Sequence, residues 1–212
     1  MHKTVTGGVL TGGQARRLQE LGPVDKGLVL LQQRPLVAWV AQTLQQCTTG
    51  PLLISANQHP ARYAPYGVVV SDPSALPPFQ GPLAGLWALL ERCPTDWLAV
   101  LPVDTPFVPV ALFTELWAAQ AQHPSARLFF MQHERSYPLC LLIHRAVLSA
   151  LQHDVLAGER RVQRWLLQQH AVAVDMRHHP VDYFFNINTP ADVKSAQQRA
   201  LVLGARLAPP VL

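Results

Sequence analysis

The residues that could do chemistry fall into three separated groups. The first is Leu10-Thr11-Gly12-Gly13, followed by Arg16-Arg17 and by Asp25-Lys26-Gly27. Paired glycines let a backbone approach a ligand closely, and successive N–H groups can cradle phosphate oxygens. Arg17 and Lys26 add positive charge from the same loop, one as a planar fork and the other as a mobile point charge. The GxxxxGK[ST] spacing is missing and so is GxGxxG, so this loop is neither a Walker A element nor a dinucleotide fingerprint. The second group is Asp104, bracketed by Pro102 and Pro106. A carboxylate there suits Mg²⁺ held against nucleotide phosphates. The third is Asp72, which leads toward Gly81 and Gly85 and can accept hydrogen bonds from a ribose or a base edge. Each group also admits a plain structural reading. The loop could be an ordinary strand-to-helix turn, Asp104 could cap a helix entered at Val108 or Pro109, and Asp72 could form a turn before Pro73.

The elements that must position these groups alternate between apolar runs and helical patterns. That alternation predicts an α/β fold with a mainly parallel, Rossmann-like sheet and helices on both faces. Strands are expected over Val5–Leu10, Leu52–Ala56, Val68–Ser71, Trp97–Leu101, Leu128–Gln132, Leu139–Ile143, Val172–Val174 and Tyr183–Asn186, with a short extended piece at Gly27–Leu31. Helices are expected from Pro35, where Leu36, Val40 and Leu44 share a face, and over Leu83–Cys93, Val110–Gln122, Arg145–Leu156 and Arg161–Gln169. Thr189 caps a last helix with Pro190 in its first turn. Trp97–Leu101 is apolar throughout, as a central buried strand should be, and Asp104 follows it. In open α/β sheets, ligands bind beyond the carboxyl ends of the strands, where Thr11, Asp72 and Asp104 would all lie.

The 212 residues suit one domain with a core over about 4–202 and a frayed, flexible tail from Ala208 to Leu212. Residues are 49% hydrophobic and only 14% charged, which excludes the disordered class. The net charge of +4 suits a polyanionic ligand, but the 17 Lys and Arg are spread along the chain, which argues against a nucleic-acid partner. Cys47, Cys93 and Cys140 form no CxxC pair and read as reduced, buried thiols. The His178-His179 pair reads as a surface feature. The N-terminus lacks a signal-peptide pattern and no apolar run could span a bilayer, so a cytoplasmic protein without membrane contact is expected.

Taken in order, these segments resemble the molybdenum cofactor guanylyltransferases. The match runs through Leu10-Thr11-Gly12-Gly13 with Arg17, Val24-Asp25-Lys26-Gly27-Leu28, Pro35-Leu36, Asn57, Asp72, Gly81-Pro82-Leu83-Ala84-Gly85 and Pro102-Val103-Asp104-Thr105-Pro106. It ends with Gly158-Glu159-Arg160-Arg161 and Asn186-Ile187-Asn188-Thr189-Pro190, spanning residues 5 to about 195. The resemblance implies a nucleotide-diphospho-sugar transferase fold and transfer of GMP from GTP to the phosphate of molybdopterin, or Mo-molybdopterin, with release of pyrophosphate. It implies Mg²⁺ on Asp104 and phosphate contacts from Lys26. Leu10, Thr11, Gly12 and Gly13 match the nucleotide loop, and Ser55 and Asp72 lie near base and ribose. Asn186 and Asn188 sit near metal and acceptor, and Arg160 and Arg161 near the pterin phosphate. Transient contacts with molybdenum cofactor biosynthesis proteins and apo-molybdoenzymes would follow. Thr11 stands where the family usually has Ala, and Ser55 where it often has Asn. Gly12-Gly13 and Asp104-Thr105-Pro106 are more similar to the guanylyl branch than to its cytidylyl relatives. A CTP-using or sugar-phosphate transferase, and a silent nucleotide-binding partner of molybdoenzyme assembly, are the competing readings.

Overall fold

Strand β1 (Val5–Leu10) is buried at every position, which places it inside a sheet rather than at its edge. A computed structural model describes residues 4–12, 25–77 and 80–207, and for 204–207 the backbone only. Gly13, Arg16, Arg17, the stretch Gln19–Pro23, Pro78 and the tail from Ala208 therefore lie outside the described residues.

After β1 come a 3₁₀ turn at Lys26–Leu28, the two-residue strands β2 (Leu30–Leu31) and β3 (Arg34–Pro35), and helix α1 (Leu36–Cys47). Strand β4 (Leu52–Ser55), the short helix α2 (Pro60–Tyr63) and strand β5 (Val68–Val70) follow. Helix α3 (Pro82–Arg92), strand β6 (Trp97–Pro102), helix α4 (Ala111–Gln122) and strands β7 (Leu128–Gln132) and β8 (Ser136–His144) come next. The chain continues through α5 (Leu148–Leu156), α6 (Val162–Gln168), β9 (Val172–Asp175) and α7 (Pro190–Leu207).

Seven strands form one sheet in the order β5-β4-β1-β6-β8-β7-β9. Only β8 runs against the rest, pairing antiparallel with both β6 and β7. Helices α1, α4 and α7 bury their apolar residues in a core on one face. Helices α3, α5 and α6 do so on the other. The expected mainly parallel sheet with helices on both faces is thus what forms. No helix among the described residues is long and apolar enough to cross a membrane.

Two expected elements differ. Gly27–Leu31 is not one extended piece. Asp25 Oδ1 accepts the Gly27 N–H and folds Lys26–Leu28 into a 3₁₀ turn. Gln32 and Gln33 then take left-handed φ of 50° and 59° to close the β2–β3 hairpin. Tyr183–Asn186 is not a strand either. Val181–Phe184 forms a 3₁₀ turn after Pro180, with Phe184 buried against Tyr137 and His133.

The order of strands decides where a ligand can sit. From β1 the chain moves outward to β4 and β5, then returns to β6 on the opposite side of β1. This reversal opens a crevice at the carboxyl ends of β1 and β6. Leu10 pairs with Ser55 on one side and Pro102 on the other, so Thr11, Ala56 and Val103 leave the sheet side by side.

Candidate active site

Three side chains from distant parts of the chain converge at that crevice. Lys26 Nζ donates to Asp104 Oδ2 at 2.9 Å and to Asn188 Oδ1 at 2.6 Å. The side chains of Lys26 and Asp104 are 11% and 21% exposed, so the pair is largely shielded but reachable from solvent. An ammonium has three donors, and these contacts use two of them.

Each member is held by its own local structure. The Asp25 carboxylate also accepts a hydrogen bond from the Tyr63 hydroxyl, which pins the 3₁₀ turn carrying Lys26. Burial raises the Tyr63 phenol well above its usual value, and the Asp25 carboxylate pushes the same way. Asp104 leaves β6 through a turn in which the buried Thr105 donates from Oγ1 to Pro102 O at 3.1 Å. The Val103 N–H donates to Leu10 O, which ties this turn to the end of β1. Asp104 does not cap α4: that helix has Val110 at its N-cap, with no side-chain bond.

Asn188 is delivered by a reciprocal cap. Asp192 Oδ2 accepts the N–H groups of Asn188 and Thr189 at 2.9 and 2.8 Å, and Thr189 Oγ1 accepts the Asp192 N–H at 3.1 Å. This arrangement is a capping box at the start of α7. Burial alone would push the Asp192 carboxyl up, but the donors of Asn188 and Thr189 together outweigh it and hold the group below its usual value. One residue earlier, the Ile187 N–H donates to the Asp104 carbonyl at 2.9 Å, so the two approaches to the site are stitched directly together.

The remaining expected residues surround this cluster in distinct ways. Thr11 donates from both its N–H and its hydroxyl to Ser55 O, at 3.2 and 2.6 Å, fixing the start of the glycine loop across the sheet. The loop's Gly12 is exposed, and a Cβ placed there would meet nothing. The side chain of Leu10 is buried, and so is Ser55, whose Oγ lies where only a glycine at position 85 leaves room. Both therefore support the loop from beneath. Asn57 and Asp72 form a two-way pair, Nδ2 to Oδ2 and backbone N to Oδ1, each at 2.8 Å. Partial burial raises the Asp72 carboxyl, and the Asn57 amide opposes that shift. Gly81 precedes α3 with a φ of 84°, open to solvent.

Asn186 accepts from Arg135 at 3.2 Å. It is separated from Asn188 by Ile187, which points into the core. The guanidinium of Arg160 donates to Gln80 Oε1 and to the carbonyls of Val155 and Glu159. Arg161 donates through its backbone to Glu159 and lines a cleft with Arg160, Arg164 and Asp154. Arg160 thus sits beside the residue that leads into Gly81. Gly13 and Arg17, the other expected phosphate contacts, lie outside the described residues.

Sequence reasoning named Asp25 beside Lys26 without its role in the turn, and it missed Tyr63, Asp192 and Arg135. Asp192 was legible in principle, because Thr189-Pro190-Ala191-Asp192 carries the spacing of a capping box with an acidic third residue. Tyr63 and Arg135 carry no local signal, since their partners are 38 and 51 positions away.

A carboxylate and a carboxamide oxygen, both hard donors of the kind magnesium takes, thus flank the Lys26 ammonium at the sheet's carboxyl edge. A single carboxylate fits an ion that takes its other ligands from phosphates and water better than it fits an all-protein cage.

Comparison with known proteins identifies the family of this fold. The family model described as MobA-like NTP transferase domain matches residues 7–174. A molybdenum cofactor guanylyltransferase of Pasteurella multocida is 38% identical over 188 residues, covering 88% of this chain and 96% of its own. One from Histophilus somni is 34% identical over 197 residues, covering 93% and 98%. Among solved structures, molybdopterin-guanine dinucleotide biosynthesis protein A of Archaeoglobus fulgidus superposes with a TM-score of 0.75 at 21% identity. It covers 93% of this chain and 99% of that one, which shows the shared nucleotide-diphospho-sugar transferase fold. With a shared fold, a family model matching most of the chain and relatives matched over nearly their whole length, the chain belongs to the MobA-like NTP transferases and, among them, to the molybdenum cofactor guanylyltransferases.

Proposed function

We propose that this chain transfers GMP from GTP to the terminal phosphate of molybdopterin in a Mg²⁺-dependent reaction. The observation that carries the reading is the convergence of Lys26, Asp104 and Asn188 where β1 and β6 end. A phosphate oxygen of molybdopterin attacks the α-phosphorus of GTP. A new P–O bond forms, the bond from that phosphorus to the bridging oxygen of the β-phosphate breaks, and pyrophosphate leaves with the electron pair. The attacking phosphate is already ionised, so the protein's work is to position two polyanions and offset their charge.

The backbone at Thr11 and Gly12 receives phosphate oxygens. The Lys26 ammonium, already oriented by two acceptors, turns its third donor toward them. Asn57 and Asp72, paired at the ends of β4 and β5, offer polar edges to ribose and base. Asp104 would hold the metal ion, with Asn188 beside it. When bound, Mg²⁺ neutralises charge on the transferring and leaving phosphates.

The direct test is pyrophosphate release with molybdopterin as acceptor and a panel of GTP, CTP and ATP. GTP should support turnover far above the others. Preference for CTP would overturn the guanylyl assignment. Asp104→Ala should abolish Mg²⁺-dependent transfer while leaving the thermal transition cooperative, and retained activity would remove Asp104 from the mechanism.

A further inference from the structure

A second group of potential metal ligands lies away from the nucleotide crevice. Glu115 projects from the middle of α4, and His178 and His179 occupy the turn after β9. His178 Nε2 stands 3.1 Å from Glu115 Oε2 and 3.3 Å from Oε1. His179 Nε2 contacts Oε1 of the same carboxylate. The two imidazole rings are 4.2 Å apart, and the ligand atoms of all three residues lie within 4.8 Å of one another.

We propose that Glu115, His178 and His179 form a binding site for a divalent transition-metal ion of the zinc class, distinct from the magnesium position at Asp104. Two imidazoles and one carboxylate are a ligand set that suits zinc, whereas magnesium takes oxygen ligands. Tetrahedral bonds of about 2.0–2.1 Å would set ligand atoms about 3.3 Å apart. His178 already holds that spacing to the carboxylate. Only small rotations would then let both Nε2 lone pairs and one carboxylate oxygen face a common point, with a fourth position open to water.

The site is also braced from behind. His179 donates its N–H to Met176 O at 3.0 Å, and its carbonyl faces His133 Nε2 at 3.0 Å. Because a carbonyl only accepts, His133 must carry its proton on Nε2. Its buried Nδ1 has no hydrogen-bond partner among the described residues, and the ring anchors the His179 backbone through Nε2. Arg177, the nearest cation in sequence, is engaged by both oxygens of Asp175. A metal here would clip α4 to the segment that runs on through Pro180 to Asn188.

The test uses the full chain with Mg²⁺ present throughout, titrated calorimetrically with Zn²⁺, and with Co²⁺ as a spectroscopic probe. One Zn²⁺ should bind per chain. Co²⁺ should develop the visible bands of a low-coordinate nitrogen and oxygen site. Zn²⁺ in large excess over its dissociation constant should raise the Tm by roughly 5 °C or more. His178→Ala should weaken binding at least about tenfold and remove both the Tm shift and the Co²⁺ bands. The His178 side chain is 62% exposed, so this variant should fold normally and keep its Mg²⁺-dependent transferase rate. His179→Ala should behave likewise toward Zn²⁺. Absence of saturable Zn²⁺ binding, or equal binding by wild type and His178→Ala, would overturn the proposal.

Discussion

Lys26→Met isolates the charge at the centre of the candidate site. Methionine keeps most of the side-chain length and apolar stem but removes the ammonium that bonds Asp104 and Asn188. Two consequences follow, and they are separable. In the free protein, Asp104 loses its partner while only 21% exposed. The pair lies between a surface ion pair, worth about 0–1 kcal/mol, and a fully buried one, whose disruption costs about 3–5 kcal/mol. A stability loss of about 1–2 kcal/mol follows, readable as a lower urea midpoint with unchanged m-value. In the complex, one charge-assisted contact to the triphosphate is lost, worth about 1.5–3 kcal/mol. That corresponds to a fall in kcat/KM for GTP of roughly tenfold to 150-fold. The assay is initial-rate pyrophosphate release over a GTP series at saturating Mg²⁺ and molybdopterin. Lys26→Arg provides the control: it keeps the charge but replaces a point donor with a planar fork, and should recover stability better than rate. If Lys26→Met leaves kcat/KM for GTP unchanged while lowering stability as expected, Lys26 is a structural ion-pair partner and the phosphate role is refuted.

Two further perturbations probe how the site is held, and a third probes a surface ion pair. In Gly27→Ala the new Cβ would come within 2.5 Å of Tyr63 Oη and 3.0 Å of its ring, and Tyr63 is fully buried. This overpacking should cost about 1–3 kcal/mol and lower transferase activity by displacing Lys26. Adding Tyr63→Phe should restore part of both, and strict additivity of the two changes in denaturation and rate would contradict the contact. Asp192→Ala removes the acceptor for the Asn188 and Thr189 N–H groups. It should lower stability by about 1–2 kcal/mol and raise KM for GTP, whereas a lower Tm with unchanged kinetics would show that Asn188 needs no such support. Asp175 is held at about 2 by the Arg177 guanidinium and N–H. A depressed carboxyl contributes stability above its unfolded value, near 4, and loses it as pH falls toward 2. Asp175→Asn should therefore flatten the acid limb of the stability–pH profile between about pH 4 and 2. A limb as steep as wild type would exclude this pair as its source.

Local physics in the sequence determined much of this protein. Apolar runs of strand length and the leucine spacing of α1 and α3 are short-range signals, so those elements were legible, as was the carboxyl-edge position of Thr11, Asp72 and Asp104. Lys26 and Asp104 were each singled out as candidate phosphate and metal residues from type and context. Their contact was not. Lys26 is 78 positions from Asp104 and 162 from Asn188, and no local preference encodes a pairing across such distances. The sheet's reversal at β1, the Asp192 cap and the Ile187–Asp104 bond bring them together. The tertiary structure also decided the errors. Glutamines in left-handed turns carry no signature of the kind Asn-Gly would, and the apolar Tyr183–Phe185 run looked like a strand until Phe184 found its place under Tyr137. Burial of Ser55 against Gly85 likewise depends on α3 crossing β1 and β4, a packing event that residue type alone does not reveal. Secondary structure follows from neighbours in sequence, whereas a site assembled from distant loops exists only once long-range packing has closed them on one another.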